Sequence, residues 1–495
     1  MKILNLPSNA DFDVHLINLP SYTSQTPSLA LVSLATFLKQ KNFDIFLKDY
    51  SLEFFKNKFK NVNITNKLNF NIPSFFLFGV SNWLNFSEEL FNDNKIPENL
   101  IQSLCPVSYN LYKDIFIELK KQKDKIQADL DKYIKEISSI SSKILGFSVN
   151  VGNAAASLYV AKAIKESNSE KKIIFGGPET FLEYRSKFYL TFPYIDAIIF
   201  SYQGEIPFYE VLKSNKNLKN IKGVGFKKDH EFFFTEPAPS IELNKLPIPD
   251  YSLIKINDKF DLINIQLSRG CLSSCAFCNE KSLFNGFFRK SPSRIIEELE
   301  YYIKNGYHYF ETIDTSFNHD VGLYKQILEK IRENRLNIKW GGNAECSKMS
   351  EKLLEKSINS GLTHCYYGIE SGSETILKLM KKNIRLSEAN KIIKKGFELD
   401  LEQYIYLIVG YPGENEKEYQ KTKNMLLNYT PYIKDSIISV YTLLNGSEMF
   451  TNKMLKPIKL SPDLLNAFTY ESLDGITHDV RKKRFLELKN IKKNH

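Results

Sequence analysis

Cysteine is scarce in this chain and unevenly placed: there are six in 495 residues, and Cys271, Cys275 and Cys278 share one eight-residue window. So few thiols exclude a disulfide-stapled scaffold, and an even count is no argument for pairing at this length. Long apolar runs are missing too. Stretches such as residues 29–38 fall short of the ~20 residues that span a bilayer. The opening Met1-Lys2-Ile3-Leu4-Asn5-Leu6-Pro7 holds no apolar core of the secretory kind before Asp11. These absences predict a cytoplasmic, soluble protein with no membrane span. A strong excess of one charge is also absent. The net +10 arises from 67 basic against 57 acidic residues spread along the chain, so nucleic-acid binding is not indicated.

With 43% hydrophobic and 25% charged residues the composition is globular, and the length exceeds one ordinary core. The pattern predicts an α/β protein of two domains. A strand at 14–19, a helix at 29–40 opened by Pro27 and a strand at 43–47 make the β-α-β start of a doubly wound, Rossmann-like domain over 1–245. Residues 51–142 break that rhythm with Phe54, Phe55, Phe70, Phe75, Phe76, Trp83 and Phe86 and a charged helix at 113–137. They read as a helical insertion whose aromatics form a private core. Alternation resumes with strands at 144–149, 172–175 and 197–200 and helices at 154–166 and 181–188. Two of these strands lead into Gly176-Gly177-Pro178 and Tyr202-Gln203-Gly204-Glu205. Doubly wound folds place ligands at such carboxyl ends, although a tight turn also needs a glycine.

Leu246-Pro247-Ile248-Pro249-Asp250 opens a linker at 246–260, because two prolines force extended backbone. A second domain follows over 261–445, with strands at 262–267, 308–313, 337–340, 364–369 and 403–409. Helices at 292–305, 321–334, 350–360, 374–380 and 387–399 alternate with them, the pattern of a parallel barrel or part of one. Residues 446–495 are polar and basic with little periodicity and read as a C-terminal tail or cover.

The three clustered thiols sit four and then three positions apart, in a loop that follows a strand. Three thiolates can hold a cubane iron–sulfur cluster by three of its four irons and leave the fourth open. Structural zinc is the competing metal, but it wants four N or S ligands in closely spaced pairs, and no second pair follows. Three incidental thiols fit least, since free cysteine favours burial over loops. His319 and His364 read as structural, and Cys346 and Cys365 as buried thiols.

With Arg269-Gly270 ahead of it and Phe277 inside it, the triad resembles the signature of radical S-adenosylmethionine (radical SAM) enzymes. The resemblance implies a 4Fe-4S cluster on Cys271, Cys275 and Cys278 and a partial (β/α)6 barrel. It also implies S-adenosylmethionine at the open iron, cleaved by one electron to methionine and a 5′-deoxyadenosyl radical. The electron would come from a low-potential donor of the flavodoxin or ferredoxin type. Gly368-Ile369-Glu370-Ser371-Gly372 resembles the motif that contacts the amino acid and ribose of S-adenosylmethionine, which assigns Glu370 and Ser371. Gly410-Tyr411-Pro412-Gly413-Glu414 resembles the motif near the adenine, which assigns Gly410. Asp314, in Asp314-Thr315-Ser316-Phe317-Asn318, would offer an amino-group or substrate contact, and Phe277 would pack beside cluster and adenine. Read without the resemblance, the same residues are glycine turns and helix caps.

The first domain resembles the cobalamin-binding type that precedes the barrel in one radical SAM subfamily. Pro27-Ser28-Leu29, Gly146-Phe147-Ser148, Gly176-Gly177-Pro178, Gly204-Glu205 and the linker carry the likeness. It implies a cobalamin site lined by Ser148, Gly176, Gly177, Gly204 and Glu205. The histidine-ligating pattern D-x-H-x-x-G is begun by Asp13-Val14-His15, but Asn18 replaces its glycine. A tRNA-modifying methylthiotransferase would need a second triad near the amino end, where only Cys105 stands. No thiol follows Cys365, which excludes a cysteine-rich carboxyl extension. The reading is a cobalamin-dependent radical SAM enzyme: a C-methyltransferase or a biosynthetic or peptide-tailoring enzyme, acting on a small molecule or peptide. The alternative keeps the radical chemistry and makes the first domain a substrate-docking module without cobalamin. A third reading makes the cluster a redox sensor or scaffold.

Overall fold

The computed structural model describes residues 11–20, 26–58, 123–150, 152–214, 217–255, 260–284, 286–444, 446–451, 455–457, 467–468, 470–472 and 474–491. Most of the expected insertion, residues 59–122, lies outside these, as does Cys105.

The first sheet is built on β1 (Asp11–Asn18), β2 (Ile45–Asp49), β3 (Ser141–Ser148), β4 (Lys172–Gly176) and β5 (Ala197–Ile199), all parallel. The antiparallel β6 (Val224–Lys228) and β7 (Glu231–Phe234) close it in the order 2-1-3-4-5-6-7. Its central strands read as near-continuous apolar runs because both faces are covered. The helices α1 (Leu29–Gln40) and, later in the chain, Glu205–Lys213 bury Leu31, Val32, Phe208 and Val211 on one face. On the other lie α2 (Tyr50–Lys58), α3 (Lys123–Ser139), α4 (Ala154–Ser167) and α5 (Glu183–Leu190) around Phe54, Ile126, Leu130, Leu158 and Tyr189. We number Glu205–Lys213 α6. The strand predicted at 43–47 starts later, at Ile45, because Asn42 (φ 65°) turns the chain first. The helix predicted at 181–188 is displaced to α5, since Pro178–Thr180 forms a tight turn of its own.

The linker is bound down rather than free. The Asp250 N–H donates to Thr36 Oγ1 (2.8 Å), and the Lys255 N–H to the Leu47 carbonyl (2.9 Å).

The second sheet holds six parallel strands: β8 (Leu262–Ile265), β11 (Tyr309–Thr312), β12 (Lys339–Ala344), β13 (Leu362–Glu370), β14 (Glu402–Val409) and β15 (Asp435–Val440), in that order. The short β9 (Ser268–Gly270) and β10 (Phe287–Arg289) form a separate hairpin, with α7 (Glu280–Leu283) before β10. Outer helices α8 (Pro292–Lys304), α9 (Val321–Glu333), α10 (Glu351–Ile358), α11 (Glu374–Leu379), α12 (Leu386–Glu398) and α13 (Glu416–Tyr429) cover the sheet. Ser291, Asp320, Ser350, Ser373 and Asn415 each cap a helix through the side chain. Each such cap contributes about 1 kcal/mol.

After β16 (Leu443–Leu444), the tail, read as aperiodic, contains β17 (Leu455–Pro457), β18 (Ala467–Phe468) and β19 (Tyr470–Ser472), then α14 (His478–Ile491). Buried positions 481, 484, 485 and 488 repeat at helical spacing. Two of them are arginines, so the stripe is hidden from any apolar count. No helix among the described residues is long and apolar enough to cross a membrane.

Candidate cluster and cofactor site

The three clustered cysteines lie on the loop leaving β9, at the carboxyl end of the second sheet. Six hydrogen bonds fix that loop. The Asp314 carboxylate accepts from the Leu267 N–H (2.9 Å) and from both the N–H and hydroxyl of Ser268. Thr315 Oγ1 donates to the Gly270 carbonyl (3.1 Å). The Ala276 N–H donates to the Met380 carbonyl (2.9 Å), and the Ala276 carbonyl accepts from the Met449 N–H (3.1 Å). Gly270 sits at φ 93°, and a Cβ there would come 2.1 Å from the Gly286 carbonyl oxygen, so no other residue fits.

All three thiols are free and partly exposed, whereas Cys346 and Cys365 are buried. Among the described residues no group of three or more His, Cys, Asp or Glu side chains converges as for a single metal ion. Three free thiols on one loop match the thiolate ligands that iron–sulfur clusters take, whereas structural zinc takes four ligands. The donor chemistry fits an iron–sulfur group. Burial raises the Cys278 thiol to about 12 and also raises that of Cys275. Burial works the same way on Cys271, but His319 outweighs it and holds that thiol below its usual range.

His319, read as structural, stands inside the site: Nε2 is 3.2 Å from Cys271 Sγ, and Nδ1 meets the Glu345 carboxylate. Burial opposes its charge, yet these two partners push the imidazole up to about 9. Lys382 is the second group that sequence reasoning missed. Its Nζ lies 3.2 Å from Glu370 Oε1. Burial disfavours the ammonium, but Glu370, Cys275 and Glu345 outweigh that and keep it protonated. No motif flags Lys382; it reaches the site only because β13 and α11 fold it back beside Glu370.

Of the residues assigned from the resemblance, Phe277 belongs to the loop, Asp314 grips its base and the Glu370 charge acts on Cys275. Glu370 ends β13 in the left-handed region (φ 66°), its side chain buried. Ser371 Oγ lies 3.1 Å from Thr422 Oγ1 and accepts from the Ser373 N–H, so its side chain is built into the turn. Phe277 packs on the apolar group of Ala276, Ile376, Met380 and Tyr411. Gly410 directly follows β14, at φ 72°. Asp314 turns its carboxylate into the cysteine loop, as described above.

The residues assigned in the first domain line a single cavity of about 320 Å³. Ser148, Gly176, Gly177, Gly204 and Glu205 form one wall; Gln266, Arg269 and Ile313 of the second domain form another. The cavity opens at the carboxyl ends of β1, β3, β4 and β5, where the order 2-1-3 makes the topological switch point of the sheet. A Cβ on Gly176 or Gly204 would meet only Ile199, at 3.6 Å. Packing therefore does not demand glycine at these two positions; its absence of side chain keeps the cavity open. Among the described residues the lining holds no histidine. His15 points away from it, alternating along β1 with the cavity-lining Leu16. The lining is mostly apolar, with Glu205, Gln266, Arg269 and Lys290 among its polar groups, the make-up of a small-molecule or cofactor site.

Residues 265–426 match the Radical SAM superfamily. An uncharacterized methyltransferase of Pyrococcus horikoshii is 28% identical over 311 residues, 60% of this chain and 65% of that protein. The chain thus spans under two thirds of that relative. The solved radical S-adenosylmethionine methyltransferase TsrM from Kitasatospora setae, with cobalamin and [4Fe-4S] cluster bound, superposes with a TM-score of 0.63. It is 13% identical, and the match covers 91% of this chain and 81% of that one. The cobalamin-dependent S-adenosylmethionine radical enzyme OxsB, with aqua-cobalamin and S-adenosylmethionine bound, superposes with a TM-score of 0.66 at 14% identity. That match covers 96% of this chain and 66% of OxsB. At these identities the two structures establish a shared fold.

Proposed function

We propose, from the premise that residues 265–426 form a domain of the Radical SAM superfamily, that this chain is a cobalamin-dependent radical SAM enzyme that transfers a methyl group to carbon. One observation carries the reading. The segment that lines the first-domain cavity with Gln266 and Arg269 runs directly into Cys271. A cofactor in the cavity and a cluster on the cysteines would therefore share one short stretch of backbone. Relatives named as methyltransferases and the fold shared with TsrM and OxsB support the class.

When bound, the cluster would supply the electron that cleaves S-adenosylmethionine, and cobalamin would supply a carrier for the methyl group. The protein's part is binding and orientation. Cys271, Cys275 and Cys278 would hold three irons. Lys382 and Glu370 offer a cation and an anion side by side, complementary to the carboxylate and ammonium of an amino acid zwitterion. Gly410 and Phe277 would border the nucleotide half, and Ser371 would shape the turn between them. Asp314 acts through the backbone it grips, as a positioning residue. Ser148, Gly176, Gly177, Gly204 and Glu205 would receive the cobalamin. A small molecule or peptide would be the acceptor in the cytoplasm, and a flavodoxin or ferredoxin the electron donor.

The second reading is a substrate-docking domain without cobalamin, whose substrate the mostly apolar cavity lining would receive instead. Anaerobic reconstitution with iron, sulfide and hydroxocobalamin separates the two. The expected result is uptake of all three, with 5′-deoxyadenosine and S-adenosylhomocysteine formed on reduction. Cobalamin-free protein that still yields 5′-deoxyadenosine establishes the second reading. Cleavage that persists in Cys275→Ala removes the cluster assignment altogether.

A further inference from the structure

The helix α14 lies at the far end of the chain, yet it reaches the carboxyl end of β14. Arg481 Nε donates to the Gly410 carbonyl (3.2 Å). Arg484 Nη1 donates to the Glu414 carbonyl and to Glu414 Oε2 (3.0 Å), and that same Oε2 accepts from the Gly410 N–H (2.7 Å). Ahead of the helix, the Asp474 carboxylate accepts from the Gly413 N–H. The five-residue turn 410–414 is thus held at its first, fourth and last residues by the tail.

This turn has two glycines in the left-handed region, Gly410 (φ 72°) and Gly413 (φ 92°), and no strand or helix of its own. It would be soft without outside support. The guanidinium groups that support it are buried, Arg481 at 1% exposure and Arg484 at 4%. Burying a guanidinium is a poor way to dock a helix, because desolvation offsets most of the gain and apolar side chains serve better. Phe485 and Leu488 already bury an apolar stripe on that face. What the arginines add is direction: a planar fork fixes the carbonyls it meets. Gly410 is shaped to match, since a Cβ there would come 2.3 Å from Arg481 Cγ.

We infer that α14 is a positioning element for the S-adenosylmethionine site, in which Arg481 and Arg484 set the 410–414 turn in the conformation that receives the nucleotide half. The inference rests on the assignment of Gly410 to that co-substrate under the proposed function. The helix has a separate anchor away from the turn. Glu487 accepts from Tyr419 Oη (2.8 Å) and pairs with Lys423. Tyr419 also lies under the Arg484 guanidinium (4.9 Å), but the Lys423–Glu487 pair touches no residue of the turn, so docking can be weakened at Glu487 with every turn contact kept.

The test uses the full-length chain, reconstituted anaerobically, with equilibrium binding of S-adenosylmethionine as one readout. Amide hydrogen exchange of the segment 410–414, without co-substrate, is the other. Arg484→Met is expected to weaken binding about tenfold and to speed exchange across the turn, with iron content as in the wild type. Arg484→Lys, which keeps charge but not the fork, should fall between. Glu487→Gln should lower the melting temperature while leaving affinity within about twofold. Wild-type affinity in Arg484→Met overturns the inference; if that variant does not fold, wild-type affinity in Arg484→Lys and in Arg481→Lys overturns it. Equal weakening by Glu487→Gln also overturns it, because docking alone would then explain the effect. A wild-type protein that takes up iron and sulfide but binds no S-adenosylmethionine overturns the site assignment itself, a distinct result.

Discussion

Glu205 and Arg269 meet across the two domains as a bidentate pair: Oε1 lies 2.7 Å from Nη2, and Oε2 lies 3.2 Å from Nη1. Glu205 is the first residue of α6 and Arg269 stands two residues before Cys271, so the cavity wall and the cysteine loop are joined by one ion pair. Burial would raise the Glu205 carboxyl, but Arg269 outweighs it and holds the group below the usual carboxylate range. Both side chains are at most one-tenth exposed.

Removing either partner strands a buried charge. Glu205→Ala or Arg269→Met alone should cost about 3–5 kcal/mol in unfolding free energy. The paired change Glu205→Leu with Arg269→Met should recover most of that loss, because an apolar pair replaces an ion pair at little net cost. Denaturant unfolding of the four proteins measures the coupling. Additive single costs would mean that the two groups do not act together.

Lys382 and Glu370 make a second pair, this one beside the cysteines. Lys382→Met should raise the dissociation constant for S-adenosylmethionine about tenfold, equivalent to about 1.4 kcal/mol, while iron uptake stays near the wild-type level. Equilibrium binding to the anaerobically reconstituted protein, with parallel iron analysis, reads both. A loss of iron in step with affinity would make Lys382 a support for the cysteine loop instead.

Gly341 predicts a packing constraint inside the second sheet. A Cβ there would come 2.3 Å from the His364 ring, whose Nε2 lies 2.8 Å from Glu311 Oε2. Gly341→Ala should therefore push the imidazole off its carboxylate, with a loss of about 1–3 kcal/mol from the broken bond. In a His364→Ala background the same change should cost far less. Thermal unfolding of the single and double variants tests this, and equal costs in both backgrounds would contradict it.

What was legible in the sequence followed from local signals. The cysteine spacing marked the loop after β9 and the strand–helix alternation marked both sheets, while Gly368–Gly372 and Gly410–Glu414 stand at the carboxyl ends of β13 and β14. The unread part came from side chains whose burial is set by distant partners. His319 passes for an ordinary histidine until β11 brings it to Cys271. Lys382 is one of a pair of adjacent lysines, of which Lys381 faces Glu448 and Lys382 faces Glu370. Arg481 and Arg484 hid an amphipathic helix, because a polarity pattern treats a buried arginine as a solvated one.

His15 supplies a prediction about pH. It begins no cofactor motif: it is fully buried in β1, set edge-on against the Phe46 ring at 4.8 Å, and among the described residues neither ring nitrogen has a hydrogen-bond partner. Burial, reinforced by Lys171 and Lys48, lowers its pKa from 6.5 to about 3. Between these values the unfolded chain binds a proton that the folded chain refuses. Stability therefore falls as pH drops below 6.5, at up to about 1.4 kcal/mol per unit, and the fall levels off near pH 3. His15→Phe removes the titrating group and keeps an aromatic ring on Phe46. It should flatten the acid limb of the stability curve between pH 6.5 and 4, measured by urea unfolding of the cluster-free protein so that cysteine chemistry does not enter. An unchanged acid limb in His15→Phe would mean that other groups, and not this imidazole, govern acid unfolding of the first domain.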